Sequence, residues 1–300
     1  MNALGALTLR NIRLFFKDKG TLVTSMITPI ILLVLYVTFL SNVYKSSLLS
    51  SMPNGLTLPD GIVGSFVGGQ LISSLLAVSC VSVSFCANLI SVQDKYLGAR
   101  NDLSISPVKP SCVALSYYLA TLFNALLVCF LAGGACMLYA SVTGFYMSAD
   151  DILHLILDIV MLVMFGTALS SLVCSFLSTE GQLSAVGTII SAGYGFICGA
   201  YMPISQFGEG LQKALSFLPG TYGTSLMRNH AMGASLREMA AMGIPSEFIE
   251  EIKNAFDCNV YFMGNRVAIP TMYLILGGSI LLIMIIYLLS SMLRSRKRAA

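Results

Sequence analysis

Phe196-Ile197-Cys198-Gly199-Ala200-Tyr201-Met202-Pro203, followed by Phe217-Leu218-Pro219 and then by Arg228, decides how this chain is read. An apolar helix ends on a Gly-x-x-x-Pro break, and the stretch after it is too polar for a full membrane span. Lipid offers irregular backbone no hydrogen bonds, so at membrane depth such backbone must be buried in protein or line a wet cavity. The break therefore predicts a closed-off end of a helical bundle rather than an ordinary loop.

The rest of the chain supports a membrane setting. It is 56% hydrophobic and 10% charged, against about 25% charged in soluble domains, and its mean hydropathy is +0.82. A soluble core cannot absorb that much apolar surface, so the 300 residues read as an integral membrane protein. The net charge of +3 is small and its cations cluster at helix ends, where orientation signals belong, which argues against nucleic acid as a partner. Seven of the eight cysteines (Cys80, Cys86, Cys112, Cys129, Cys136, Cys174 and Cys198) lie in apolar segments, and only Cys258 lies in a polar one. Without Cys-x-x-Cys or a Cys/His cluster they indicate neither disulfides nor a metal site, and they read as small packing residues. No cleavable leader is visible. The first apolar run is long enough to remain as a span.

Residues 1–20 read as a basic amphipathic helix. Arg10, Arg13 and Lys17 form one stripe and Leu9, Ile12 and Phe16 another, so the helix is expected in the inner interface with its cations snorkelling to headgroups. Six spans follow, at about 21–41, 62–90, 111–142, 151–177, 183–200 and 268–293. Pro29 is expected to kink the first. Pro53-Asn54-Gly55 and Pro59-Asp60-Gly61 signal turns. The second span is rich in serine, with Gly64 and Gly68 four apart. Small residues at that density predict a helix buried in the bundle, and a serine-lined solute path is the other reading. Eleven Lys/Arg in the short segments on one side oppose Lys45 alone on the other, which sets both termini inside.

The 201–267 region then lies outside. Phe207, Leu211, Leu215 and Leu218 share a face of a short helix expected to dip partway into the membrane. Ser235-Leu236-Arg237-Glu238 fits a capping box. After a break at Gly243-Ile244-Pro245, Phe248, Ile252 and Phe256 form a further stripe. A helical hairpin is thus expected over the outer mouth. One all-α membrane domain over 1–300 is the simplest partition.

Little in the chain suggests its own chemistry. There is no G-x-x-x-x-G-K-[ST], no G-x-S-x-G and no H-E-x-x-H, so any ATP chemistry must come from another chain. Asp158 is the one acid clearly inside a span, roughly 10 Å along the fourth helix from Asp151, and His154 lies one turn before it. The two could form a proton relay facing an outer vestibule, or belong to the wet, acid-rich start of a helix. The loop from Gln93 to Pro107 reads equally as a solvated connector and as a docking surface.

The order of these features resembles the membrane subunit of an ABC exporter of the type-2 permease family, over essentially the whole chain. Arg10-Asn11 to Phe16-Lys17-Asp18-Lys19 resembles the family's connecting helix, and the Asp94–Pro107 loop its coupling helix, with aspartate and Ala99 where glutamate and threonine are commoner. Gly199, Pro203, Pro219 and Arg228 match the break after the fifth span. The resemblance implies two permease copies, or this chain and a paralogue, in membrane lipid. Two ATP-binding subunits carrying ATP and Mg would dock on Asp94, Gly98, Arg100, Asp102, Leu103 and Pro107, with Glu180 nearby. The 201–219 segment would serve as outer gate, its bend fixed by Gly199 and Pro203. The rivals are an ion-coupled secondary transporter using Asp158, which would show broken helices in both halves, and a membrane enzyme or assembly factor.

Overall fold

The computed structural model describes residues 3–50, 58–105, 107–144 and 146–299. The helices in chain order are α1 (Ala3–Lys17), α2 (Lys19–Leu35), α3 (Ser41–Ser50), α4 (Asp60–Ala87), α5 (Leu89–Tyr96), α6 (Ala99–Ile105), α7 (Pro110–Thr143), α8 (Ala149–Phe176), α9 (Glu180–Ile197), α10 (Glu209–Leu215), α11 (Pro219–Ala241), α12 (Ser246–Ala255) and α13 (Ile269–Ala299). A two-stranded hairpin, β1 (Tyr261–Phe262) and β2 (Asn265–Arg266), precedes α13. Local chemistry sets the starts. The Asp18 carboxylate accepts the backbone N–H groups of Gly20 and Thr21 at 3.0 and 3.3 Å at the head of α2. Ser148 and Asp151 form a reciprocal capping box at α8. Proline opens α7 and α11, where its missing N–H costs nothing.

Among the described residues, five stretches are long and apolar enough to cross a membrane: Lys19–Ser50, Asp60–Tyr96, Pro110–Val142, Ala149–Phe176 and Ile269–Leu293. These correspond to five of the six expected spans. The helix at the fifth expected position, α9, has 18 residues and is not among them. Glu180, Gln182, Thr188 and the glycines at 181, 187, 193 and 195 dilute its apolar content. The first span also outruns its expected end. Beyond Pro29 the helix continues through a π segment, Tyr36–Leu40, into α3, where Tyr44 and Leu48 are buried. The Tyr36 hydroxyl donates to the carbonyl of Val67. The Pro53-Asn54-Gly55 turn lies outside the described residues.

The serine-rich helix α4 is the centre of the bundle, packed by α2, α7, α8, α9 and α11. Three of its six serines turn back on their own helix: Ser73, Ser82 and Ser84 donate to carbonyls three or four residues earlier. Close approach is real at three points. A Cβ on Gly144, just past α7, would lie 2.3 Å from the carbonyl oxygen of Gly61, one on Gly69 would lie 2.4 Å from that of Ala231, and one on Gly166 would lie 2.9 Å from that of Cys80. Backbone therefore meets backbone on both flanks of α4.

The region after the break departs most from expectation. It does not sit over the bundle as a short helical cover. Helix α11 runs unbroken from Pro219 to Ala241 and is buried along most of its length against α4, α8 and α13. It lies alongside the first half of α8: Gly223 touches Leu162, His230 meets Asp158, and Arg237 pairs with Asp151. The capping box expected at Ser235 is absent, because Ser235 is mid-helix and donates to Met232. Of the apolar face expected over 205–218, only Leu215 is buried, while Leu211 and Leu218 are exposed. The break at Gly243-Ile244-Pro245 is present, with Gly243 at φ +82°, and Ile252 and Phe256 of the following stripe are buried.

Candidate functional site

At one end of the bundle, α1, α5 and α7 converge on Asp94. Arg10 forks onto its carboxylate, Nη1 to Oδ2 at 2.6 Å and Nη2 to Oδ1 at 3.1 Å, and the Tyr117 hydroxyl donates to Oδ2 at 2.5 Å. Asp94 is buried while Arg10 stays partly open to solvent. The carboxylate's hydrogen bonds hold the Arg10 guanidinium above its already high range. The expected basic stripe of α1 is thus divided: Arg13 and Lys17 are exposed, whereas Arg10 turns inward and Asn11 and Phe15 are buried. The next residue, Lys95, reaches the carbonyls of Cys174, Ser175 and Leu177 at 2.7, 3.0 and 2.9 Å. It caps the last turn of α8 as a cation should.

Gly98, at φ +82°, turns the chain from α5 into α6. Around this turn Tyr96, Leu97, Asp102, Ile105 and Pro107 are exposed, and Leu103 is half-buried. The Arg100 guanidinium lies 6.0 Å from the Tyr117 ring centre. Glu180 opens α9 close by in sequence to Leu177, and its side chain lies outside what is described.

Near the break, Arg228 is 1% exposed. Its Nη2 donates to the carbonyl of Gly199 at 2.6 Å and its Nη1 to Asp257 Oδ2 at 3.1 Å. Asp257, itself at φ +51°, also accepts the backbone N–H groups of Ile204 and Ser205, just past Pro203. One buried ion pair therefore fixes both sides of the Gly199–Pro203 bend. Among the described residues, Arg228 Nε has no partner. Pro219 lies beyond this knot as the first residue of α11. Next to the knot Cys258 is buried, which pushes its thiol up to about 12.

A third cluster pins α8 to α11 and α13. Asp158 is 1% exposed. His230 Nδ1 lies 2.6 Å from its Oδ2, and the Tyr273 hydroxyl donates to Oδ1. His154, one turn from Asp158 and available to pair with it by spacing, instead contacts the Asp150 carbonyl and stacks on the His230 ring at 4.9 Å. Asp158 faces the interior, away from solvent.

Between α2–α3 on one wall and α9 on the other, with α4 behind, lies an open groove of about 1270 Å³. It runs from Gln93 and Leu183 at the Asp94 end to Tyr201, Pro203 and Phe256 beside the Arg228 knot. Among the described residues, no Asp, Glu, Lys, Arg or His lines it. Its polar groups are hydroxyls and amides such as Thr24, Thr28, Ser184 and Thr188. Of the α4 serines only Ser82 reaches it.

A family model described as ABC-2 type transporter matches residues 2–231, more than two-thirds of the chain. The chain belongs to the ABC-2 type transporter family. It is a membrane protein, a permease subunit of an ABC transporter, and such a subunit works with an ATP-binding subunit. No curated protein and no solved structure matches it. In this ABC-2 permease the match takes in the Asp94 cluster, the groove helices and Arg228, and it stops within α11. Asp257, the hairpin and α13 lie beyond it.

Four partners were not legible as such. Tyr117 and Lys95 carried no spacing signal toward Asp94 or α8. His230 sits 72 residues from Asp158, and Asp257 lies in a stretch with no membrane signature. The one available hint was Arg228, a lone cation that required an acid.

Proposed function

We propose that this chain is the membrane-spanning subunit of an ATP-driven exporter of the plasma membrane, from a bacterial cell. In this reading both termini are cytoplasmic, α9 completes a sixth crossing, and two copies, or this chain and a paralogue, form the pathway. A separate subunit supplies ATP and Mg, so this chain is not itself an enzyme. The groove carries the reading. Its described lining is uncharged from end to end, and it is open along one side and bounded by the coupling segment below and the Gly199–Pro203 bend above. Such a lining suits an amphipathic, lipid-like, drug-like or peptide solute.

The coupling follows from the contacts at Asp94. A subunit pressing on Tyr96, Leu97, Asp102 and Ile105 would move α6. Asp94 would carry that displacement to α1 through Arg10, and Lys95 would carry it to α8, in a rigid-body change. The Arg228–Asp257 knot would hold the outer bend. Asp158 lies outside the groove, which supports ATP drive over ion coupling. The test is purification of the tagged chain in mild detergent with mass spectrometry of what accompanies it. The expected result is a stoichiometric ATP-binding-cassette subunit that is lost in a Leu97→Asp/Ile105→Asp variant of normal fold. A folded chain that never captures such a subunit, even after crosslinking, would overturn the reading.

A further inference from the structure

Helices α8 and α11 run antiparallel along a seam rich in ionisable side chains. Asp151, His154 and Asp158 recur at spacings of three and four on α8, as do His230, Gly233 and Arg237 on α11, so each set shares one helical face. The two faces meet in three rungs. Arg237 pairs with Asp151 near the start of α8. His154 and His230 stack in the middle, their ring centres 4.9 Å apart and their planes 26° from parallel. His230 and Tyr273 of α13 hold Asp158 at the deep end. Access falls along the same line: the His154 side chain is 43% exposed, His230 13% and Asp158 1%. Protons from the medium at the Ser148 end of α8 thus reach the seam through His154.

The middle rung is the sensitive one. As a carboxylate Asp158 can only accept, so the hydrogen between it and His230 sits on Nδ1. His154 Nδ1 faces the Asp150 carbonyl at 2.9 Å, also an acceptor, and carries its own hydrogen there. Each ring keeps Nε2 for a further proton. A first proton makes His230 a cation, and the buried Asp158 carboxylate balances it. A second makes His154 a cation stacked on the first. Among the described residues, the counter-charge left for it is Asp150, 3.5 Å away but largely exposed and therefore weak. Asp151 is engaged by Arg237 and Ser148, and Glu238, next to Arg237, is exposed. The other helices bring no remedy. α7 has no charged residue, Asp60 of α4 pairs with Lys45, and the Cys80 thiol near Asp158 supplies no negative charge in acid. α13 brings Tyr273 alone at this end. On α12, Glu250 pairs with Lys253 and Arg266, while Glu247 and Glu251 are exposed. A closed seam therefore binds one proton well and a second poorly, and by linkage acid favours a seam that has parted.

We propose that His154 and His230 form a proton-operated latch between α8 and α11, closed with one proton on the pair and opened by a second. The opening is local. Gly69 of α4 holds Ala231, and Gly166 of α8 is held against Cys80, so what parts is the start of α8 from residues 232–241 of α11. That segment leads through α12 to Asp257, so acid loosens the Gly199–Pro203 bend from a site outside the groove. The test is hydrogen exchange of the full chain in detergent at about pH 7.5 and about pH 5.5, either side of ordinary histidine titration, with α7 as reference for intrinsic rates. Exchange over residues 232–241 is expected to speed about tenfold in acid, as one pH unit of linked proton binding gives, with α7 unchanged. His154→Gln, at a half-exposed position, cannot take the second proton and should abolish the acceleration while matching the parent near neutral pH. The chain has two histidines, so nitrogen NMR of the parent's imidazoles shows each one directly. They should titrate in two separated steps, His230 first. Should His154→Gln lose its fold, this titration still decides. A parent without acid acceleration, acceleration that persists in a folded His154→Gln chain, or two histidines titrating together in one step would each overturn the latch.

Discussion

The two ends of the groove are each held by an arginine–aspartate pair, and the pairs are built differently. At the α6 end Arg10 reaches solvent while its partner Asp94 is buried with a tyrosine hydroxyl. At the bend Arg228 and Asp257 are both sealed, and the acid spends its remaining capacity on the backbone of Ile204 and Ser205. An ion pair with one foot in water can open at modest cost, since water takes over the freed cation. A sealed pair cannot, because either charge left alone inside is strongly unfavourable. The first is suited to a joint that transmits displacement, and the second to a fixed corner.

The strongest way to break this contrast is at the sealed pair. Asp257→Ala leaves Arg228 buried without its acid and frees two backbone donors. It is expected to cost about 3–5 kcal/mol, read as a large drop in thermal unfolding midpoint in detergent, and Asp257→Asn, which tolerates the positive φ, should recover part of it. An Asp257→Ala chain as stable as the parent would end the fixed-corner view. At the open pair, Asp94→Asn should cost about 1–2 kcal/mol, and in the complex with its ATPase should separate ATP hydrolysis from movement of α1, followed by spin labels on α1 and α8. Unchanged label distances through the ATP cycle in the parent would dismiss the joint. Lys95→Met removes three bonds to carbonyls at the end of α8 and is expected to cost about 1 kcal/mol, seen as faster hydrogen exchange in that last turn alone.

The smallest effect concerns acid. Asn259, then Lys253, hold the Glu250 carboxylate of α12 below its ordinary range. Its contribution is therefore complete above the unfolded value, about 4.3, and fades as pH falls through the lower folded value. Because the Glu250 side chain is nearly half exposed, solvent screening keeps the loss small. Glu250→Gln should flatten the acid limb of α12 protection measured by hydrogen exchange, and an unchanged limb would assign it to other groups.

Hydropathy made five spans and the burial of α4 legible, because long apolar runs and dense small residues speak through composition. It also marked Gly199, Pro203 and Arg228. It failed at α11 because that helix carries Arg228, Asn229, His230, Arg237 and Glu238, and a helix whose polar groups find partners inside a bundle looks the same in sequence as one bathed in water. It failed at Asp158 for a related reason: helical spacing proposes the neighbour one turn away, whereas His230 and Tyr273 arrive from helices whose placement only packing decides. α9 shows the opposite limit: the sequence reading counts it as a span, yet its glycines and polar residues leave it short of the length and apolar content that mark the other five.

Two of the backbone contacts on α4 have a mechanical consequence. Where Gly69 meets Ala231 and Gly166 meets Cys80 there are no intervening side chains to change rotamer, so α4, α8 and α11 cannot slide past one another without clashing. The glycines of α9 at 181, 187 and 193, by contrast, face open space. The three tightly joined helices thus move as one block, so a push delivered to α8 is felt by α4 and α11 together, and any change of groove shape is a swing between that block and the walls α2 and α9.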